Sequence, residues 1–142
     1  MATQIQHASF TVGDVDRSVD FYQKALGLSF KDKQGRDPDF AARVTGIPGA
    51  NIVCAYLTTG NCDLELVQYL SPAGDKIDTR TCNVGSAHVA LIVDDFNDTM
   101  QKVLAMGGRL AGEVSTIPAG PNKGRSIAYM EDPDGNTLEV LG

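Results

Sequence analysis

The stretch His7-Ala8-Ser9-Phe10-Thr11-Val12-Gly13-Asp14 recurs later in the chain as His88-Val89-Ala90-Leu91-Ile92-Val93-Asp94-Asp95, and a helical pattern follows each copy. A duplication constrains a fold more tightly than local propensity does, because both copies must bury equivalent faces. In the first copy Asp16 is placed to cap a helix whose apolar stripe runs through Val19, Tyr22 and Leu26, widened by Phe21 and Ala25. Gly27 then stands where a helix-ending glycine belongs. In the second copy Asp95 or Asn97 caps a helix carrying Met100, Val103 and Leu104, which stops at Gly107-Gly108.

Three runs after each helix read as strands: residues 28–33, 51–59 and 63–70 in the first half, and 110–115, 125–131 and 137–141 in the second. The run from Ile52 to Leu57 is apolar and bounded by Gly49 and Gly60. Each half is thus a βαβββ module, and the fold class expected is α+β, with two such modules forming curved sheets around a central metal cavity. Residues 34–50 are an insertion without a counterpart in the second half. Within it Asp37-Pro38, followed by Phe40, Ala41, Arg43 and Val44, predicts a short capped helix placed to lid the site. Module one spans about residues 1–70, a Pro- and Gly-containing linker about 71–85, and module two about 86–142. A single domain is expected over 1–142, since neither half alone can bury both faces of its sheet.

A chain of 142 residues can bury a working core without disulfides or structural metals. Its net charge of −6 and absence of Lys/Arg runs predict no nucleic-acid partner and no anionic membrane surface. No apolar run approaches the roughly 20 residues needed to span a bilayer, and no secretory signal stands at Met1-Ala2-Thr3-Gln4-Ile5, so a cytoplasmic location is expected. Cys54, Cys62 and Cys82 show no CxxC spacing and read as buried or half-buried free thiols rather than as a disulfide framework or a zinc site. Met100, Met106 and Met130 read as core filler.

Strand alternation selects the residues that can meet. Ala8, Phe10 and Val12 share one face of the first strand, leaving His7, Ser9 and Thr11 on the other; Val89, Leu91 and Val93 oppose His88, Ala90 and Ile92. Leu64 and Leu66 face the helix while Asp63, Glu65 and Val67 point away, and Leu138 and Val140 oppose Thr137, Glu139 and Leu141. Each module therefore offers one His and one Glu on the face turned from its helix, and these are the chain's only two histidines. Any one of the four is an ordinary surface residue by itself; their recurrence in both halves makes them a candidate metal set, His7, Glu65, His88 and Glu139. Two imidazoles and two carboxylates suit one divalent ion: Ni, Co, Zn, Mn or Fe. Two coordination positions left open would take a bidentate small-molecule substrate and stabilise an enediolate formed by removing a proton next to a carbonyl, with Glu139 or Glu65 as the catalytic base. Arg125 and Lys123, near a Gly-containing hairpin, are candidates for holding an anionic substrate tail, as are Arg43 in the insertion and Tyr129.

His7 with FYQKALGL, His88 with VALIVDDF, and the closing MEDPDGNTLEV together resemble the vicinal oxygen chelate superfamily over essentially the whole chain. That superfamily includes glyoxalase I, methylmalonyl-CoA epimerase, extradiol dioxygenases, fosfomycin-modifying enzymes and bleomycin-binding proteins. The resemblance implies paired βαβββ modules, a symmetric homodimer, and the His/Glu/His/Glu ligand pattern of bacterial glyoxalase I at His7, Glu65, His88 and Glu139. It thereby implies a metal-dependent isomerase or lyase. An Fe(II) extradiol-type ring-cleaving dioxygenase and a non-catalytic small-molecule binding protein are the alternatives. Thr11 and Tyr69 stand where glyoxalase I carries an Arg and an Asn that recognise glutathione. The run from Leu64 to Pro72 and the approach Gly85-Ser86-Ala87-His88 are more similar to methylmalonyl-CoA epimerase.

Overall fold

Both copies of the repeat form a strand, a helix and further strands in a mixed α+β fold, in a computed structural model that describes residues 1–142. The first comprises β1 (His7–Thr11), α1 (Val15–Lys24), β2 (Ser29–Gly35), α2 (Pro38–Thr45), β3 (Asn51–Thr58) and β4 (Asp63–Ser71). The second comprises β5 (His88–Ile92), α3 (Phe96–Ala105), β6 (Arg109–Leu110), β7 (Ser115–Thr116), β8 (Ser126–Glu131) and β9 (Thr137–Leu141). The chain divides into two compact units, Met1–Lys76 and Ile77–Gly142, at a point inside the expected linker.

The sheets repeat one another. Strand order is β1-β4-β3-β2 in the first and β5-β9-β8-β6 in the second, with β7 also pairing β8. In each, the opening strand lies parallel to the closing one, and the remaining pairs are antiparallel. In module one the inner face carries Leu57, Leu64 and Leu66 with Phe21 and Tyr22 of α1, all buried. The Phe21 and Tyr22 rings meet edge to face at 5.2 Å. Val103 of α3 joins Met130, Leu138 and Val140 in the fully buried set of module two. Burying such side chains contributes roughly 1.5–3 kcal/mol each.

The helix starts follow local hydrogen bonding. Asp14, and not Asp16, caps α1: Asp14 is extended (φ −146°, ψ 109°), and its carboxylate accepts from the N–H groups of Asp16 and Arg17 at 3.0 Å. Asp16 lies inside the first turn and pairs with Lys33 at 2.6 Å. At α3 the cap is Asp95, accepting from the Asp98 N–H at 2.9 Å. The expected helix in the insertion is α2, with Asp37 as cap and Pro38 opening the first turn. Gly46 closes α2 at φ 71°, a conformation that costs glycine nothing.

The run 110–115 is broken: a bend over 111–112 separates β6 from β7, each two residues long. Conversely β2 continues to Gly35, two residues into the segment expected as insertion. Cys54, Cys62 and Cys82 are all free thiols, but only Cys54 is buried as expected; Cys62 and Cys82 are exposed, Cys62 in the turn between β3 and β4 and Cys82 in the connection before β5. No helix is long and apolar enough to cross a membrane.

Gly108 follows α3 at a point where the chain passes against its own module. A Cβ there would lie 2.6 Å from Val103 Cγ1 and 2.7 Å from the Glu131 carbonyl oxygen, whereas one at Gly112 meets nothing within 4 Å. Gly108→Ala is expected to destabilise the protein by about 1–3 kcal/mol, the usual cost of overpacking. Gly112→Ala is expected to be near neutral, and urea unfolding of the two variants checks the contrast.

Candidate metal centre

The parallel pairing of first and last strands brings each His beside a Glu. His7 stands opposite Asp63 in β4, so Glu65, two residues on, lies on the same face next to it. His88 stands opposite Thr137 in β9, and Glu139 is again two residues on. His7 Nε2 is 3.3 Å from Glu65 Oε2, and His88 Nε2 is 3.3 Å from Glu139 Oε2. One register has produced the same pair twice.

A tyrosine completes each pair from the neighbouring strand. Tyr56 of β3 is directly opposite Glu65, and Tyr129 of β8 directly opposite Glu139. The Tyr56 hydroxyl donates a short hydrogen bond to Glu65 Oε1, leaving Oε2 turned to His7. Tyr129 is likewise hydrogen-bonded to Glu139. The tyrosine rings also sit edge-on to the imidazoles, at 5.9 Å for His7–Tyr56 and 5.2 Å for His88–Tyr129.

The donor geometry fits a divalent ion. Metal–ligand bonds of 2.0–2.2 Å place adjacent donors about 2.8–3.1 Å apart in an octahedral site and about 3.3–3.6 Å apart in a tetrahedral one, and each Nε2–Oε2 separation of 3.3 Å matches the tetrahedral spacing. It is long for a charge-assisted hydrogen bond, which runs about 2.7–2.9 Å. His7 Nδ1 contacts the side-chain oxygen of Gln6. An amide oxygen can only accept, so this contact suits the tautomer protonated at Nδ1, in which Nε2, the nitrogen facing Glu65, would be the metal donor. The imidazole side chains are 34% and 37% exposed against 13% and 19% for the carboxylates, so the pairs open outward through the histidines. The four candidate ligands come together two by two, and no cluster of three or more His, Cys, Asp or Glu side chains suited to an ion occurs in the chain.

Beyond this shared plan the two faces differ. In module one, Ile52, Cys54 and Tyr56 of β3 pair with Tyr69, Val67 and Glu65 of β4 on the site-bearing face. Ala41 of α2 packs with Ala50, Ile52 and Cys54, and Tyr69 and Val67 pack against that cluster. The insertion helix thus covers the site face beside Glu65. Arg36, just after β2, donates from Nη2 to the Tyr56 hydroxyl at 3.2 Å. In module two a cavity of about 340 Å³ is bordered by the segment Thr79–Cys82 and by Tyr129, Glu131 and Thr137. Thr79 anchors that segment: its hydroxyl donates to the Gly135 carbonyl at 2.7 Å, and its own carbonyl accepts from Ser86 at 2.9 Å.

The DPDGN segment gains a physical role. Asp132 is buried, and its carboxylate accepts from the N–H groups of Asp134 and Asn136 and from the Asn136 side-chain amide, all at 2.8–2.9 Å. These bonds shape the turn that delivers β9 and hence Glu139.

Of the candidate substrate-binding residues, Tyr129 lies both at the His88–Glu139 pair and on the cavity. Lys123 is exposed in the turn before β8, Arg125 half-buried at its exit, and Arg43 exposed on the last turn of α2; none of the three pairs with a candidate ligand. Tyr56 and Arg36 were not foreseen. The signal for Tyr56 was its repeat relation to Tyr129, each lying one hairpin before a candidate Glu; Arg36 carried no such signal.

The chain matches the family described as the Glyoxalase/Bleomycin resistance protein/Dioxygenase superfamily over residues 4–140. It belongs to that superfamily. A lactoylglutathione lyase of Haemophilus influenzae is 34% identical over 142 residues, covering 97% of this chain and 91% of its own. The 2-epi-5-epi-valiolone epimerase of an Actinomyces species is 29% identical, covering 99% and 79%. A probable chloroplastic lactoylglutathione lyase of Arabidopsis thaliana is 34% identical, and this chain spans only 34% of its length. Among solved structures, a glyoxalase family protein from Bacillus cereus shares the fold with a TM-score of 0.81 at 23% identity, covering 99% of this chain and 94% of that one. Glyoxalase I from Zea mays gives 0.69 at 25% identity, covering 97% and 44%. Superfamily relatives of this chain thus include both lyases and an epimerase.

The Tyr56 phenol is held above its ordinary pKa of 10.0, first by burial and then by its hydrogen bond to, and the charge of, Glu65; nearby Arg36 opposes the shift. Tyr129 is raised by burial first and then by Glu139. A phenol raised in this way contributes stability that is fully present below its unfolded pKa and is lost as pH rises through the folded value. Alkaline titration followed by ultraviolet absorbance is expected to show both phenols ionising above pH 10, with Glu65→Gln lowering the Tyr56 value and Glu139→Gln that of Tyr129.

Proposed function

We propose that the protein is a divalent-metal-dependent isomerase or lyase of the glyoxalase and epimerase type, which removes a proton next to a carbonyl. The observation that carries this reading is the twofold recurrence of a His Nε2 and a Glu Oε2 at 3.3 Å, each backed by a tyrosine. His7 with Glu65 and His88 with Glu139 would supply the ligands of the ion, with the chain acting as a homodimer. A divalent ion bound there supplies Lewis-acid polarisation of a substrate carbonyl.

The protein's own groups do the rest. The two carboxylates are unequal: Tyr56, which holds Glu65, is itself backed by the Arg36 cation, whereas Glu139 is the only charged group acting on Tyr129. Hydrogen bonding backed by a positive charge holds the Glu65 carboxylate in one orientation, and Glu139 has no guanidinium behind its tyrosine. Glu139 is therefore assigned as the base and Glu65 as the fixed ligand. Tyr129, at the edge of the cavity, orients Glu139 and borders the substrate. The segment Thr79–Cys82 also borders that cavity.

Tyr69 packs into the cluster under α2, and Thr11 has too short a side chain to act as an anion clamp. Both features favour a substrate without a glutathione moiety, such as an acyl thioester or a hydroxy-ketone. Lys123, Arg125 and Arg43 remain candidates for contact with an anionic tail.

The test is uptake of solvent deuterium next to the carbonyl, followed by NMR, with acyl-CoA thioesters, hydroxy-ketones and 2-oxo hemithioacetals as substrates. Exchange is expected with one of the first two classes, to cease on chelation, and to return on addition of Ni²⁺, Co²⁺, Zn²⁺ or Mn²⁺. Glu139→Gln is expected to slow it by about a hundredfold or more. Absence of exchange in all three classes with metal-loaded protein would overturn the reading, and oxygen uptake with catechols would replace it by ring cleavage.

A further inference from the structure

Arg36 is a half-buried cation with an unusual choice of partner. It makes no ion pair; its Nη2 donates instead to the neutral Tyr56 hydroxyl at 3.2 Å, and its guanidinium lies 5.9 Å from the centre of the Tyr56 ring. Its backbone is fixed as well, since the Arg36 N–H donates to the Ile52 carbonyl of β3 at 3.0 Å. The Tyr56 hydroxyl, accepting from Arg36, donates onward to Glu65 Oε1. The result is a directed chain from guanidinium to phenol to carboxylate, ending at Glu65 Oε1 and leaving Oε2, the oxygen beside His7, for an ion.

We propose that Arg36 is a positioning residue which, acting through Tyr56, fixes the Glu65 carboxylate for binding of a divalent cation beside His7. This rests on the metal-dependent reading above and assigns a role to a residue outside the ligand set. Two physical effects combine. A phenol that accepts a hydrogen bond from a cation becomes a stronger donor, because successive hydrogen bonds polarise one another. A hydroxyl gripped from both sides also loses its rotational freedom, so Glu65 meets the ion already oriented. Outer partners of this kind typically account for 10- to 100-fold in metal affinity. Module two provides an internal comparison, with the Tyr129–Glu139 pair but no guanidinium behind it.

The experiment measures Co²⁺ affinity by competition with a chelating dye, together with the visible spectrum of bound Co²⁺, in the full-length protein. Arg36→Ala is expected to weaken binding about tenfold or more and to alter the spectrum, while the unfolding midpoint of the metal-free protein stays close to wild type. Tyr56→Phe is expected to weaken it at least as much. The double variant is expected to be no weaker than Tyr56→Phe alone, since Arg36 acts through that hydroxyl. Arg36→Lys, which keeps the charge, is expected to recover part of the loss, and Arg36→Gln, which keeps a donor without charge, to recover less. Unchanged Co²⁺ affinity in both Arg36→Ala and Arg36→Gln overturns the proposal, as does a double variant whose loss is the product of the single losses. Failure of the wild-type protein to bind Co²⁺, Ni²⁺, Zn²⁺ or Mn²⁺ would instead remove the metal reading, and this role with it.

Discussion

Parallel pairing between the first and last strands of each module is the constraint on which the rest depends. A parallel ladder keeps residues of both strands on a common face with a fixed stagger, so His7 with Glu65 and His88 with Glu139 are placed by backbone hydrogen bonding before any side chain is chosen. A slip of one residue would turn every side chain of a strand to the opposite face and bury Glu65 or Glu139 against its helix. The apolar partners Leu64, Leu66, Leu138 and Val140 prevent that slip, because they are needed in the core. Hydrophobic burial on one face thus sets the chemistry on the other.

Once the register is fixed, the antiparallel neighbour brings a tyrosine to each carboxylate. A buried or half-buried carboxylate needs hydrogen-bond donors, and Tyr56 and Tyr129 provide them while leaving one oxygen of each carboxylate directed at an imidazole. The duplication then departs from symmetry through what was added to it. The insertion in module one supplies α2, whose Ala41 and neighbouring apolar residues cover part of the site face, and Arg36 stands at its start. In module two, which lacks that helix, the Thr79–Cys82 segment borders an open cavity instead. A duplicated scaffold thus carries two chemically similar His–Glu pairs under unequal coverings.

Much of this was legible in the residues. Apolar alternation along residues 63–70 and 137–141 separated core leucines from site glutamates, and the capped insertion helix followed from Asp37-Pro38. The misplaced cap at α1 has a local cause: Asp14 and Asp16 are both short acidic residues ahead of the stripe, and only the extended backbone at Asp14 points its carboxylate at the free N–H groups. The broken strand near 110–115 was hidden for a different reason, since a bend at Ala111-Gly112 depends on where β8 lies and not on the propensities of the run itself. Arg36 was invisible because a cation after an exposed edge strand looks like any solvated charge.

The sequence by itself determined the duplication, the βαβββ order of each module, the face on which each histidine and glutamate lies, and the membership of a superfamily. These follow from periodicity and repetition, which are properties of the chain read one residue at a time. Only the tertiary structure decided the strand stagger that sets each Nε2 at 3.3 Å from an Oε2, the tyrosine behind each glutamate, and the guanidinium behind one tyrosine. Those are relations between residues far apart in the chain, and they exist only after strand pairing has closed the loops between them.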